Sequence, residues 1–179
     1  MLRFLLALPV FLILLACGPQ KGNETVEIKE LYSMEIPNAL NPTTDLNEDA
    51  SLQYQNVFKE LYVIVIDETA SEFKEALVEN GIDSLYANDL YGYSDLLMTG
   101  VNMELGKGGT PEFVDKNING LEARVVDLDA VYDGLDIFYK FAFFQGKEHY
   151  YQIMTWCLAD RKYVHQQDME DMINSFREL

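Results

Sequence analysis

Few side chains in this sequence are of a kind that does covalent chemistry. It has two histidines, His149 and His165, and two cysteines, Cys17 and Cys157. A nucleophile needs a base within reach. Neither histidine has a Ser or Cys at a recognisable triad spacing, and neither H-E-x-x-H nor G-x-S-x-G occurs. His149 falls at a strand start and His165 near a helix start, positions expected to be exposed. Cys157 alternates within YYQIMTWCL and is expected to be a small buried core residue. The two cysteines stand far apart in unlike settings, which is neither a disulfide framework nor a zinc spacing. No catalytic residue, metal site or cofactor is therefore assigned.

Three further stretches invite a site. GKGGTP, residues 106–111, lacks the Lys-Ser/Thr pair of a phosphate loop at the required spacing and reads as a connector. DLDAVYDGLD gathers Asp127, Asp129, Asp133 and Asp136 around a turn. Oxygen clusters bind calcium, but the EF-hand spacing is absent, and alternating acids on a solvated hairpin are the expected reading. LYANDLYGYSDL brings Tyr86, Tyr91 and Tyr93 together. Tyrosines offer flat apolar faces with a polar tip, suited to sugars or protein partners. Tyr93 is expected to pack inward, leaving Tyr86 and Tyr91 as the candidate binding residues.

The amino terminus carries the most specific signal. Met1–Arg3 gives a short positive start, and Phe4–Leu15 an apolar run too short to cross a bilayer as a helix, which takes about 20 apolar residues. The anatomy is that of a signal peptide. Leu14-Leu15-Ala16-Cys17 then resembles the lipobox of bacterial lipoproteins. That resemblance implies cleavage after residue 16, a diacylglycerol on the Cys17 thiol and an acyl chain such as palmitate on the new amine. A thiolate is the nucleophile suited to taking a lipid, and two or more acyl chains make anchoring stable where one is marginal. Residues 17–30 read as a flexible tether. Gly18 after the cysteine resembles lipoproteins sorted to an outer membrane. With 30 acidic against 13 basic residues and a net charge of −17, nucleic acid is excluded as a partner.

The elements that must position these residues are legible from residue 31 on, as one domain spanning 31–179. Tyr32, Met34 and Ile36 alternate in LYSMEIP, a strand ended by Pro37. SLQYQNV and LYVIVIDE follow as strands, the second apolar on both faces, so that both faces need cover. Thr69-Ala-Ser-Glu72 is a capping box for a helix that buries Phe73 and Leu77 and stops at Gly81. A second helix is expected over 89–98, with Leu90, Tyr93 and Leu97 inward and Gly92 weakening it. Asn119-Gly120 and Asp133-Gly134 are hairpin turns, and Gly146-Lys147 a third. They link EFVDKNI, LEARVVDLDAVY, LDIFYKFAFFQ and EHYYQIMTWCL into a four-stranded antiparallel meander. HQQDMEDMINSFREL closes the chain as a helix with Met169, Met172, Ile173 and Phe176 in one stripe.

This order resembles the PsbP-like superfamily, which includes Mog-type import factors and bacterial lipoproteins. The matching landmarks are the Tyr32-Ser33 strand ending at Pro37 and the paired strands about Gln53 and Ile64. They continue with the Asn119-Gly120 hairpin, the Tyr150–Ile153 strand and the Ile173–Phe176 helix. The resemblance implies an α+β fold, an antiparallel sheet flanked by helices on both faces, and an accessory or binding role without shared catalytic residues. The expectation is a non-enzymatic lipoprotein of the cell envelope, held to a membrane through Cys17 and binding an envelope protein. The alternative is a small-molecule or glycan-binding lipoprotein, with an envelope enzyme behind it.

Overall fold

Tight turns with left-handed backbone shape this chain. The computed structural model describes residues 22–101, 104–105 (backbone alone) and 112–179. Cys17, the apolar segment before it, expected to be a leader, and GKGGTP lie outside the described residues. Asn119 and Gly120 have φ of 52° and 92°, and Asp133 and Gly134 of 50° and 78°. Two successive positive φ values match the twist of the strands they join, which is why Asn-Gly and Asp-Gly mark these sites.

The strands in chain order are β1 (Asn23–Ile28), β2 (Tyr32–Pro37), β3 (Asn41–Pro42), β4 (Leu52–Asn56) and β5 (Leu61–Thr69). After helices α1 (Ala70–Glu79) and α2 (Leu90–Gly100) come β6 (Glu104–Leu105), β7 (Val114–Ile118), β8 (Leu121–Tyr132), β9 (Leu135–Gln145) and β10 (His149–Leu158). A turn of 3-10 helix (Ala159–Arg161) leads into α3 (Lys162–Ser175) and β11 (Arg177–Glu178). The large antiparallel sheet runs β3-β4-β5-β10-β9-β8, and both β6 and β7 pair with the far edge of β8. A small sheet, β1-β2-β11, packs beside α3. The expected α+β architecture, with cover on both faces, is the fold observed.

One face of the large sheet presents Val63, Val65, Phe138, Phe144 and Ile153 to β2 and α3, whose Met169, Met172 and Ile173 form the expected stripe, with Phe176 just past the helix end. The other presents Val126, Leu128, Phe141 and Phe143 to Phe73 and Leu77 of α1 and Leu90 and Tyr93 of α2. The capping box holds: Glu72 N–H donates to Thr69 Oγ1 at 3.1 Å, and Thr69 N–H to the Glu72 carboxylate at 3.0 Å. These bonds favour the charged carboxylate and lower the Glu72 pKa.

Three expectations need correction. Residues 23–28 are not tether but strand β1, paired with β2 from Asn23↔Pro37 to Ile28↔Tyr32. Their turn uses Lys29 and Glu30 at φ of 50° and 55°, residues with no turn signature, so the hairpin left no mark in the sequence. The last helix begins at Lys162 and ends at Ser175, because Asn119 Nδ2 donates to the carbonyls of Asn174 and Phe176, both at 2.8 Å, and the chain turns to pair β11 with β2. Gly92, expected to weaken α2, is required there: a Cβ would lie 1.9 Å from the Ala87 carbonyl oxygen.

Candidate functional site

Arg124 stands in the middle of an apolar strand. Alternation along β8 places it on the same face as Val126 and Leu128, opposite Phe143 of β9 and Asp115 of β7 in register. Its side chain is only 10% exposed. Burying a charge is costly unless it is paired and hydrogen-bonded, and three elements converge to do that.

The first is α2. Asp89 caps its start by accepting from Gly92 N–H at 2.8 Å, and the missing side chain at Gly92 lets the helix close on Ala87. That seats Ser94 and Asp95 over β8. Arg124 Nη1 donates to Ser94 Oγ at 2.6 Å, to Asp95 Oδ1 at 2.7 Å and more weakly to the Tyr91 carbonyl at 3.4 Å. The second is β7, whose Asp115 Oδ1 lies 3.3 Å from Arg124 Nε. The alignment is poor, so the buried Nε–H has no hydrogen-bond partner. The third is a pair of rings. The guanidinium carbon lies 4.4 Å from the centre of Tyr91 and 3.9 Å from that of Phe113, stacked on both by cation–π attraction.

Tyr91 completes the arrangement, its hydroxyl donating to Asp115 Oδ2 at 3.0 Å. That bond to a carboxylate favours the neutral phenol and raises its pKa. Its ring is still 51% exposed. Between α2 and the β7–β8 hairpin lies a cleft of about 320 Å³, lined by Leu90, Tyr91, residues 115–117 and residues 122–124. The cleft is polar, and the described residues that line it include no histidine or cysteine. It offers a fixed planar donor, two carboxylates and an aromatic rim, which is recognition chemistry. Along its side runs β7, whose outer edge pairs with no strand among the described residues.

Of the two candidate tyrosines, the structure brings Tyr91 to this cleft and leaves Tyr86 partly buried against the core under α1 and α2. Tyr93 packs inward as expected, stacked on Tyr150 at 4.7 Å between centres. Arg124 was not singled out from sequence. A lone arginine on the apolar side of an otherwise buried strand was the available signal.

The histidines are not exposed as expected. His165 is buried, its Nε2 within 2.8 Å of the Lys59 carbonyl oxygen, because α3 starts early enough to turn residue 165 toward the β4–β5 turn. His149 lies against Tyr151, with ring centres 5.9 Å apart, and its Nδ1 is 4.0 Å from Asp67. Cys157 is fully buried, and burial pushes its thiol pKa up to about 11. Asp127 pairs with Lys140 at 2.5 Å and Asp129 with Lys162 at 3.8 Å.

No protein-family model and no curated protein sequence matches this chain. Solved structures do. Cyanobacterial PsbP (CyanoP) from Synechocystis aligns with 93% of this chain and 99% of its own, at 10% identity and a TM-score of 0.53. LpqN of Mycobacterium tuberculosis, described as involved in cell envelope biogenesis, aligns over 90% of this chain and 87% of its own, at 8% identity and a TM-score of 0.51. The yeast Ran-binding protein Mog1p aligns more loosely, at 13% identity and a TM-score of 0.46. At such identities the likeness concerns the fold.

Proposed function

We propose that this chain is a lipid-anchored cell-envelope protein whose domain binds an extended segment of another envelope protein along β7, with the Arg124–Tyr91 cleft reading one of its side chains. The observation that carries this is the half-exposed Tyr91, held by Arg124 and Asp115 beside a strand edge that pairs with no strand among the described residues. An added strand draws affinity from main-chain hydrogen bonds and specificity from pockets under alternate side chains. The charged Asp115 and Lys116 on β7 guard the edge against promiscuous pairing. The lipobox-like segment ending at Cys17 supports the anchor, and the shared fold with the envelope-biogenesis protein LpqN is in keeping with the compartment. The binding role is proposed as non-catalytic.

Affinity capture from detergent-solubilised membranes tests the reading. The parent chain recovers a defined partner, and Tyr91→Ala and Asp115→Lys lose it while remaining folded. A chain that emerges alone from repeated captures defeats the proposal. Cys17→Ser, run alongside, moves the protein to the soluble fraction; retention in membranes defeats the anchor.

A small molecule or glycan is the second reading. The cleft's 320 Å³ falls within the usual range of ligand sites, roughly 300–1,000 Å³. Against it, the guanidinium already covers one face each of Tyr91 and Phe113.

A further inference from the structure

Gly22 sits at one particular corner of the molecule. Asn38 N–H donates to the Gly22 carbonyl at 2.9 Å. One residue on, the Ala39 carbonyl accepts from Asn56 Nδ2 at 2.5 Å. Asn56 is also the anchor of the β4–β5 turn, its Oδ1 accepting from Phe58 N–H at 3.1 Å and Lys59 N–H at 2.9 Å. The turn closes through Glu60 at a φ of 58° and docks on the start of α3 through the bond from His165 and the Arg161–Glu60 ion pair at 3.4 Å. Gly22, the 57–60 turn and the first residues of α3 therefore share one corner.

That corner shows large apolar side chains to solvent. Phe58 is 95% exposed and Tyr163 86%, with Val57 and Val164 also exposed beside them. The turn is pinned by hydrogen bonds on both sides of Phe58, so the ring is held outward rather than left without a place in the core. Charges balance among these residues: Arg161 pairs with Glu60 and Lys162 with Asp129, and Lys59 stands exposed beside Phe58 on a chain of net charge −17.

We infer that this corner, Val57-Phe58 with Tyr163-Val164, is the face the domain lays on the lipid bilayer. The inference rests on the anchoring reading of Cys17. Five residue steps separate Cys17 from Gly22, and at 3.3–3.6 Å per residue a fully extended chain spans about 18 Å at most. Acyl chains on Cys17 thus keep Gly22, and the corner holding it, within reach of the headgroups. Exposed aromatic rings with aliphatic neighbours, and Lys59 beside them, are the composition suited to the membrane interface. The acidic β8–β9 tip, with Asp133 and Asp136, lies at the same end of the sheet as the 57–60 turn, two strands along from β5, whereas Glu148 lies at the opposite end. The Arg124 cleft, reached along β7 on the opposite sheet edge, stays open to a partner.

The test uses the full mature chain in vesicles of zwitterionic phosphatidylcholine, with and without bromine on the acyl chains. Intact mass first establishes whether Cys17 carries diacylglycerol. Phe58→Trp and Val164→Trp are compared with Glu148→Trp, at an exposed site by the β9–β10 turn, each read against the parent with its single Trp156. The expected result is blue-shifted emission lost to bromine quenching for the two corner variants, and neither effect at residue 148. Lipidated, vesicle-bound protein with equal quenching at both ends overturns the orientation and leaves the anchor standing. A blue shift at residue 58 without bromine quenching also overturns it, because a protein surface then covers the corner. An unmodified Cys17 overturns the anchor, and the orientation with it.

Discussion

The two faces of the large sheet are buried by different means. Toward α3 and the small sheet the contact is closed and almost wholly apolar, with Phe176 against Tyr32, Phe144 and Tyr151 at ring distances of 5.2, 4.6 and 5.0 Å. Toward α1 and α2 the same sheet keeps an arginine, two carboxylates, a serine and a half-exposed tyrosine. Apolar contact needs no particular partner beyond good packing. A buried guanidinium needs specific acceptors, and leaving one donor unmet has a cost of about 1–3 kcal/mol. The closed face builds the scaffold, and the open one holds the feature that packing alone does not explain.

On that division, Phe176→Ala on the closed face gives the largest loss, about 3–5 kcal/mol in chemical denaturation, because a fully buried ring leaves a cavity. A loss under about 1 kcal/mol would mean that the small sheet and last helix are not integral to the core. Gly92→Val comes next, at about 3 kcal/mol, since its Cβ meets backbone rather than a yielding side chain. It should also open the cleft by lifting α2, seen as faster amide exchange at residues 90–95.

Arg124→Met separates the two faces most sharply. Asp95 and Asp115 are 52% and 58% exposed and can be solvated once freed, so stability changes by about 1 kcal/mol or less. Partner capture is nevertheless lost. A large destabilisation instead would make Arg124 part of the scaffold.

The smallest effect is alkaline. Burial raises the Cys157 thiol from its ordinary 9 to about 11. The unfolded chain ionises first, so this contribution is complete below pH 9 and is lost as pH rises toward 11. Burial also raises Tyr32 and Tyr151 on the same face, each with a neighbouring acid adding to the rise. Denaturation midpoints measured from pH 8 to 11 should fall. In Cys157→Ala the fall should be shallower, while remaining visible from the tyrosines.

Local rules reached much of this fold. Asn119-Gly120, Asp133-Gly134 and the Thr69–Glu72 box declare themselves because each satisfies its own backbone within four residues. The strip Met169–Phe176 is equally local, set by helical period. Strand β1 escaped notice because Lys29 and Glu30 adopt left-handed backbone without the residue types that favour it, and its pairing with β2 holds them there. His165 was misplaced because its burial depends on a turn more than a hundred residues earlier.

What the sequence determined alone is periodic or contiguous: strands apolar on both faces, hairpin turns and helix caps. Tyr91 could be named from it, but Tyr86 with equal warrant. Only the tertiary structure chose between them, since Arg124 meets Asp95 across 29 residues and Tyr91 meets Asp115 across 24. Side chains that far apart are brought to hydrogen-bond distance by the pairing of β7 with β8 and the seating of α2. Those are long-range contacts, and a reading of neighbours along the chain contains no term for them.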